Sequence, residues 1–160
     1  MPKEYLAWQR LEGRSGHKVG RLLLSQLYTQ YVGGEMPPVR LGEKGKPYWE
    51  DSPWHFSISH SKHHAFCVLS HRPVGIDAEE LDRPVKLRFA EKLLSPGEYA
   101  QFLAAEDQQR AFLSFWVLKE ATAKCSGEGV RIHPRHTDFS LPDDRIQQID
   151  GCLVAIVTEV

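Results

Sequence analysis

Two stretches of the sequence carry acidic side chains at spacings that could hold a metal ion. In the first, residues 75–80 with the sequence GIDAEE, strand geometry would put Asp77 and Glu79 on one face and turn Ile76 and Ala78 toward the core. Two carboxylates on one face repel each other unless a cation lies between them. Short acidic patterns also recur at solvated strand ends, where we expect Glu80 to lie, so this stretch alone is a weak sign of a metal site.

The second stretch is a helical pattern, F-x-x-F-W-x-x-K-E-A-x-x-K, that ends in Lys124. Trp116, Glu120 and Lys124 lie at i, i+4 and i+8, so they share one stripe of the helix, and the tryptophan would draw Glu120 to the edge of the core. Glu120 and the two strand acids would form a hard oxygen site suited to Mg²⁺, which also takes phosphate oxygens as ligands. An ion pair between Glu120 and Lys124 on a wet helix surface explains the same pattern, and both interpretations stay open.

A run of serines, histidines and a lysine at a predicted hairpin turn could bind an anion. Ser59 and His60 begin this run, whose hydroxyls, imidazoles and main-chain N–H groups could reach a phosphate. Zinc is a less favoured alternative, because no cysteine pair or H-x-x-x-H helix accompanies the histidines, and a plain polar turn stays open. Further positive groups are Lys46 in a stiff G-K-P loop and a basic amino-terminal segment: Arg10, Arg14, His17, Lys18 and Arg21.

The elements that must position these residues can be predicted from apolar periodicity and from glycine and proline. Residues 5–31 fit a helical pattern that Gly13 and Gly16 divide in two, and residues 33–53 fit loops with at most a short strand. Alternating apolar and polar residues then predict three antiparallel strands in hairpins, over about 54–59, 64–70 and 73–79.

The carboxyl-terminal part is predicted to contain helices followed by strands. Helical patterns cover residues 84–93, 95–104 and 107–124; the second opens with Ser95 as a cap, and Gly127 and Gly129 end the third. Residues 138–141 and 153–159 are predicted strands, separated by polar turns at 142–144 and 150–151. Strands, then helices, then strands indicate an α+β protein.

Composition excludes several classes of function. The 160 residues are 41% hydrophobic with a formal net charge of −1, which allows one core and gives no bulk attraction to nucleic acid or an anionic membrane. No apolar run is long enough to span a membrane, and the amino terminus lacks the apolar core of a secretory signal, so we expect a cytoplasmic protein. Cys67, Cys125 and Cys152 show no C-x-x-C spacing and are expected to be reduced, mostly buried thiols.

Four motifs in this order resemble those of the 4'-phosphopantetheinyl transferases: G-K-P, F-S-I-S-H-S, V-G-I-D-A-E and F-W-x-x-K-E-A-x-x-K. The sequence is most similar to the larger, pseudo-dimeric type that activates surfactin synthetase. The resemblance runs from about Arg10 to the carboxyl end and implies an α+β fold of two similar halves related by a pseudo-twofold axis, with coenzyme A in the cleft between them. The halves would be residues 1–72 and 73–160 of a monomer.

The amino end departs from the family pattern, because this chain begins almost inside the predicted first helix. We therefore expect a shortened first half, in which the edge strand of the sheet is truncated or replaced by another segment. Without either, an unpaired sheet edge would be exposed.

The resemblance also implies roles for individual residues. Asp77, Glu79 and Glu120 match the acids of the family's Mg²⁺ site, and Glu120 is also the expected general base. Contacts to coenzyme A are implied for a further set, in which Lys124 is the better candidate for the pyrophosphate and Arg14 lies near the expected 3'-phosphate: Lys119, Lys124, Ser59, His60, Lys46 and Arg14.

The implied reaction is a Mg²⁺-dependent transfer of 4'-phosphopantetheine from coenzyme A to a serine of an apo acyl or peptidyl carrier protein, with release of 3',5'-ADP. Lys124 and His60 would steady the developing charge, and Arg88 and Lys92 would face the acidic carrier. The residues by themselves leave two alternatives. One is a Mg²⁺-dependent phosphohydrolase acting on coenzyme A or a nucleotide, and the other is a non-catalytic coenzyme A binding module.

Overall fold

The computed structural model describes residues 4–127 and 136–159, which form two three-stranded sheets with helices packed against them. The strands are β1 (Glu4–Arg10), β2 (Arg40–Leu41), β3 (Pro47–Tyr48), β4 (His55–His60), β5 (His64–Ser70), β6 (Val74–Glu80), β7 (Ile146–Ile149) and β8 (Cys152–Thr158). The helices are α1 (Gly16–Tyr31), α2 (Ala90–Leu93), α3 (Pro96–Ala104) and α4 (Gln108–Ser126), with a short 3-10 helix over Leu87–Phe89. The predicted α+β class is therefore confirmed.

The two sheets share one arrangement of strands. The first has the order β1-β5-β4 and the second the order β6-β8-β7, and every neighbouring pair is antiparallel. In each sheet the first strand is followed along the chain by a long helix, α1 or α4, and then by a hairpin whose last strand lies in the middle of the sheet. The small β2-β3 hairpin lies between α1 and β4 in the chain.

Apolar side chains from both sheets are buried in successive layers. The layer between α1 and the first sheet includes Leu24, Phe56 and Leu69, and the layer between α4 and the second sheet includes Leu118 and Val157. A third layer joins the two sheets through β5, β6 and β8, and its members include Phe66, Val68, Ile76, Ala78 and Val154. Since strand side chains alternate, Asp77, between Ile76 and Ala78 in β6, faces the α4 side.

Two serine side chains join β4 to β6 where the sheets meet. Ser57 Oγ accepts a hydrogen bond from the main-chain N–H of Ile76, and Ser59 Oγ accepts one from the N–H of Ala78, each at 3.1 Å. We call this junction the seam, formed by Ser57 and Ser59 of β4 with Ile76 and Ala78 of β6. It places the S-H-S turn beside the acidic end of β6.

Local signals fix the helices that follow β6. Ser95 and Glu98 form the predicted capping box at the start of α3, and Asp107 caps α4 by accepting from Arg110 N. Gly127 ends α4 with a φ of 75°, a left-handed conformation that favours glycine. Gly129 lies outside the described residues. In the parts of the chain that are described, no helix combines the length and apolar character needed to cross a membrane.

The predicted helix over residues 5–31 is wrong in its first part. Glu4–Arg10 is strand β1, which pairs with β5 from Glu4 opposite Ser70 to Arg10 opposite His64. Tyr5 and Ala7 pack on the core beneath α1, whereas Leu6 packs on the core between the sheets, so apolar residues face both ways and the alternation typical of a strand is lost. β1 therefore occupies the sheet edge whose strand we expected to be truncated or replaced by another segment.

Three further elements differ from expectation. β6 is not in a hairpin with β5, because it pairs with β8 in the second sheet. The predicted strand over 138–141 is irregular chain whose Phe139 and Leu141 pack beside α3 and α4. The strand that precedes β8 and pairs with it in a hairpin is Ile146–Ile149. The predicted helix over 84–93 is only the 3-10 turn and the four residues of α2.

Candidate functional site

Two elements converge on Asp77: it faces α4 from β6, near Glu79 of its own strand and Glu120 of the helix. Its side chain is buried, with 8% of the residue exposed. Asp77 Oδ1 lies 3.4 Å from Ser59 Oγ and 3.5 Å from Lys124 Nζ. Asp77 Oδ2 is buried and has no hydrogen-bond partner among the described residues. A buried carboxylate oxygen without a partner is costly, so this atom is suited to a cation from outside the chain.

Charge and burial raise the pKa of two of the acids. Burial raises the pKa of Asp77 to about 7; Lys124 opposes this, and the negative charges of Glu79 and Glu120 add to it. Burial also raises the pKa of Glu120, with Lys124 opposing and Glu79 contributing. The three carboxylates therefore lie close enough to repel one another, as sequence spacing predicts for a shared metal site.

The donor set fits a hard cation such as Mg²⁺, which prefers carboxylate oxygens. The three acids are not gathered tightly, however: within residues 4–127 and 136–159, the one group of three metal-binding side chains with donor atoms all within 4.8 Å is His64, Glu80 and Cys152. Glu79 is held by Arg83, whose Nη1 lies 2.6 Å from Glu79 Oε1. Metal binding by all three acids would therefore require their carboxylates to move closer together.

Lys124 connects the helix to both strands of the seam. Its Nζ donates to the carbonyl oxygens of Ile58 in β4, at 3.3 Å, and of Ile76 in β6, at 2.9 Å, in addition to its contact with Asp77. The amine is thus directed away from its own helix. The alternative of a simple surface pair between Glu120 and Lys124 does not describe this arrangement.

Lys46 lies across a pocket from Lys124. This pocket, with a volume of about 230 Å³, is lined by the G-K-P loop, β4 and the end of α4. Lys46 Nζ donates to Cys125 O at 2.9 Å and Val74 O at 3.4 Å, and burial lowers the pKa of its amine. The structure therefore brings together two predicted phosphate-binding lysines that are far apart in sequence.

Ser59 and His60 lie at different depths. The Ser59 hydroxyl belongs to the seam, whereas His60 is exposed and lines a larger pocket of about 620 Å³ that also contains Glu79. Its ring lies against the start of α1, where a Cβ on Gly16 would come within 2.6 Å of His60 Nδ1. In the sequence, a glycine before a helical pattern indicates only a helix break. The close approach of the His60 ring to Gly16 therefore could not be predicted from the sequence.

Two residues predicted to bind coenzyme A lie apart from the acids and lysines described above. Lys119 is buried, and its amine donates to Glu98 Oε1 at 2.6 Å and to Thr137 Oγ1. Arg14 donates to the carbonyl oxygens of Leu11 and Arg10 and so closes the turn between β1 and α1. Neither is brought into the group formed by Asp77, Glu120 and Lys124. The capping box signalled Glu98, but no sequence pattern indicated its bond to Lys119.

The expectation that Glu80 is solvated is wrong. Only 9% of Glu80 is exposed, and its Oε2 lies 2.9 Å from His64 Nδ1. Alternation alone puts Glu80 on the face opposite Glu79, and that face is covered by the first sheet. The sequence could not reveal this burial, because it depends on how the two sheets meet.

Comparisons with known proteins agree with the motifs. Residues 73–155 match the pattern of the 4'-phosphopantetheinyl transferase superfamily. A 4'-phosphopantetheinyl transferase of Bacillus subtilis is 30% identical over 131 residues, which cover 79% of this chain and 58% of the relative. The 4'-phosphopantetheinyl transferase psf-1 of Bacillus pumilus is 33% identical over 120 residues, covering 69% and 51% respectively. The 4'-phosphopantetheinyl transferase gsp of Aneurinibacillus migulanus is 34% identical over 118 residues, covering 71% and 49%.

The chain spans about half the length of these curated relatives. The matched pattern nevertheless includes β6 with Asp77 and Glu79, all of α4, and most of β8. The roles of individual residues stay predictions. The chain itself belongs to the 4'-phosphopantetheinyl transferase superfamily.

Proposed function

We propose that the protein transfers the 4'-phosphopantetheine group of coenzyme A to a serine of an apo acyl or peptidyl carrier protein and releases 3',5'-ADP. The observation that carries this proposal is the buried Asp77 oxygen that lacks a partner among the described residues and lies within reach of the negative charges of Glu79 and Glu120. Such a site suits a reaction in which a pyrophosphate is held and its charge neutralised.

We further propose that residues 1–72 and 73–160 are two similar halves related by a pseudo-twofold axis, with coenzyme A in the cleft between them, as in the larger type of the family. The matching strand orders of the two sheets support this division. The pocket between the G-K-P loop, β4 and α4 lies at the junction of the halves and is lined by Lys46 and Lys124. These two amines would bind phosphate oxygens of coenzyme A.

Glu120 is the proposed general base. Its pKa is raised by burial, which makes the carboxylate a stronger acceptor for the proton of the carrier's serine hydroxyl. The serine oxygen forms a bond to the β-phosphorus of coenzyme A as the bond from that phosphorus to the leaving 3',5'-ADP oxygen breaks. Lys124 and His60 would stabilise the charge on the phosphates during this exchange.

Asp77, Glu79 and Glu120 are the residues that would hold Mg²⁺. When bound, the ion would neutralise charge on the pyrophosphate. Asp77 would be the firmest ligand, because its position is fixed by Ser59 and Lys124. Arg83 would steady Glu79 through its contact with Oε1.

The proposed partner is an acidic carrier protein. Arg88 and Lys92 are exposed on the half that carries the site, and both would face the carrier protein. Either residue alone is an ordinary surface charge. We also propose that the protein acts as a monomer in the cytoplasm, without binding nucleic acid or membranes, which the net charge of −1 supports.

The direct test is to incubate the protein with coenzyme A, Mg²⁺ and several apo carrier proteins and to weigh the carriers by mass spectrometry. We expect each served carrier to gain the mass of phosphopantetheine and 3',5'-ADP to appear in equal amount. Glu120→Gln should reduce the rate at least about 100-fold, while Glu106→Gln, at an exposed position, should not.

Two other outcomes would overturn the proposal. Loss of coenzyme A without any acceptor would indicate a phosphohydrolase. Tight binding of coenzyme A by the folded wild type and by Glu120→Ala, with no product from either, would indicate a binding module.

A further inference from the structure

A second cluster of metal-binding side chains lies where β5, β6 and β8 meet. His64 at the start of β5, Glu80 at the end of β6 and Cys152 at the start of β8 are 5%, 9% and 0% exposed. Their donor atoms are mutually close: Nδ1 to Oε2 is 2.9 Å, Sγ to Nδ1 is 3.3 Å and Sγ to Oε2 is 3.4 Å. None of the three residues belongs to the proposed catalytic group.

The far side of the histidine ring is held as in many zinc sites. His64 Nε2 lies 2.8 Å from Asp150 Oδ2, and Asp150 in turn receives two hydrogen bonds from Arg10, at 2.6 and 2.8 Å. A metal-bound histidine commonly donates its other ring N–H to a carboxylate, which fixes the tautomer and the ring orientation. Asp150 therefore leaves Nδ1 of His64 as the nitrogen available to a cation.

Charge and distance both fit a divalent ion of intermediate softness. A neutral imidazole, a carboxylate and a thiolate together carry two negative charges, so Zn²⁺ would leave the buried group neutral. Ligands of a tetrahedral zinc ion lie about 3.4–3.6 Å apart, so the three donors need to separate by only about half an ångström or less. Oxygen-preferring Mg²⁺ would be poorly served by the sulfur and nitrogen.

A fourth ligand and a route for the ion are also present. Ser61 Oγ is hydrogen-bonded to Glu80 Oε2 and lies 3.8 Å from Cys152 Sγ. Ser61 and Glu80 both line the pocket of about 620 Å³, so the open side of the cluster faces a space that water or an ion can enter. The fourth position would be taken by the Ser61 hydroxyl or by water.

We propose that His64, Glu80 and Cys152 form a zinc site that fastens the first sheet to the second. The ligands come from three strands in two sheets and lie far apart in the chain, so no short motif of zinc ligands marks this set in the sequence. Binding releases the thiol proton of Cys152 and the proton shared between His64 and Glu80. We assign the ion a structural role, since its ligands join three strands and Glu80 lies on the face of β6 opposite Asp77.

The test is titration of the purified, metal-free protein with Co²⁺ and then Zn²⁺, followed by absorption spectroscopy. We expect one Co²⁺ per chain to give the visible bands of a tetrahedral site and a thiolate-to-cobalt charge-transfer band, and one equivalent of Zn²⁺ to abolish both. Absence of the charge-transfer band in the folded wild type would overturn the proposal, and this result requires no variant.

Variants locate the site. Cys152→Ser should remove the charge-transfer band, whereas Cys125→Ser and Asp77→Asn should keep it. A band that survives in folded Cys152→Ser, or that disappears in folded Cys125→Ser, would assign the thiolate elsewhere. Asp150→Asn should keep the band but weaken the binding of Zn²⁺ about 10- to 100-fold, as expected for a residue that orients a ligand. An unchanged affinity in Asp150→Asn would contradict the assigned orientation of His64.

Discussion

Lys124 Nζ lies 3.5 Å from Asp77 Oδ1 and also donates to main-chain carbonyls on both sides of the seam, Ile58 O and Ile76 O. The same amine thus contacts the central acid of the proposed metal site and the two strands that hold the sheets together. The Lys124 side chain therefore contributes both to the geometry of the site and to the attachment of α4.

Lys124→Met should lower both stability and activity. The methionine keeps the volume but leaves two carbonyls and the Asp77 carboxylate without this donor, so we expect the free energy of unfolding to fall by about 2–3 kcal/mol. Urea unfolding followed by circular dichroism measures this change. The exposed Lys92→Met is the matched control and should stay within about 0.5 kcal/mol of the wild type. Equal stabilities for the two variants would contradict the bridging role.

Asp77→Asn should change how stability depends on pH. Burial raises the pKa of Asp77 from 3.8 to about 7, so between these pH values the folded protein keeps a proton that the unfolded chain releases. The resulting stabilisation is full below about pH 4 and is lost as the pH rises to about 7. In EDTA, the free energy of unfolding of the wild type relative to Asp77→Asn should therefore fall by about 2–3 kcal/mol from pH 5 to pH 8. A constant difference across this range would show that Asp77 is not desolvated.

Gly75→Ala should prevent α4 from packing on β6. A Cβ on Gly75 would overlap the carbonyl oxygen of Ala121 and lie 2.5 Å from Cys125 N, and neither main-chain atom can move without shifting the helix. We expect a loss of at least about 3 kcal/mol, or failure to fold. Gly42→Ala is the control, because its Cβ would make only an ordinary contact at 3.5 Å, and it should change stability by no more than about 1 kcal/mol. Thermal unfolding of the wild type and the two variants measures these changes. Equal stabilities for Gly75→Ala and Gly42→Ala would contradict the predicted clash with α4.

Glu98→Gln should destabilise the connection between α3 and α4. Glu98 is fully buried and accepts hydrogen bonds from Lys119, Thr137 and the N–H groups of Ser95 and Phe139. Removing its charge leaves the buried ammonium of Lys119 without the carboxylate that offsets it, at a cost of about 3–5 kcal/mol. The exposed Glu91→Gln should have almost no effect in the same denaturation experiment. If both substitutions change the free energy of unfolding equally little, the ion pair of Glu98 and Lys119 contributes little to the fold.

The sequence predicted best where local signals are complete. The capping box at Ser95 and the αL glycine at Gly127 define α3 and α4 within a residue or two, because capping depends on neighbours in the chain. β1 was missed because its two faces are covered by different cores, and β7 because only pairing with β8 distinguishes it from a polar turn. Both depend on contacts between distant parts of the chain.

In the candidate site, too, features set by local sequence were predicted, whereas contacts between distant residues were not. Motif spacing predicted a shared face for Asp77 and Glu79 and a shared helix stripe for Glu120 and Lys124, since these faces follow from strand and helix periodicity. It did not reveal where long side chains end: Lys119 on Glu98, and Glu80 in a buried group with His64. Sequence periodicity gives the direction of a Cβ atom, whereas these endpoints depend on the packing of whole elements.

The serine hydroxyls of the seam also have a consequence for self-association. The N–H groups of Ile76 and Ala78 on the outer edge of β6 are already bonded to the side chains of Ser57 and Ser59, respectively, rather than to another strand's backbone. An exposed strand edge is a template for pairing with another chain, and here the template is blocked by hydroxyls that cannot continue a ladder. The junction that shapes the site thus also protects the protein from edge-to-edge aggregation.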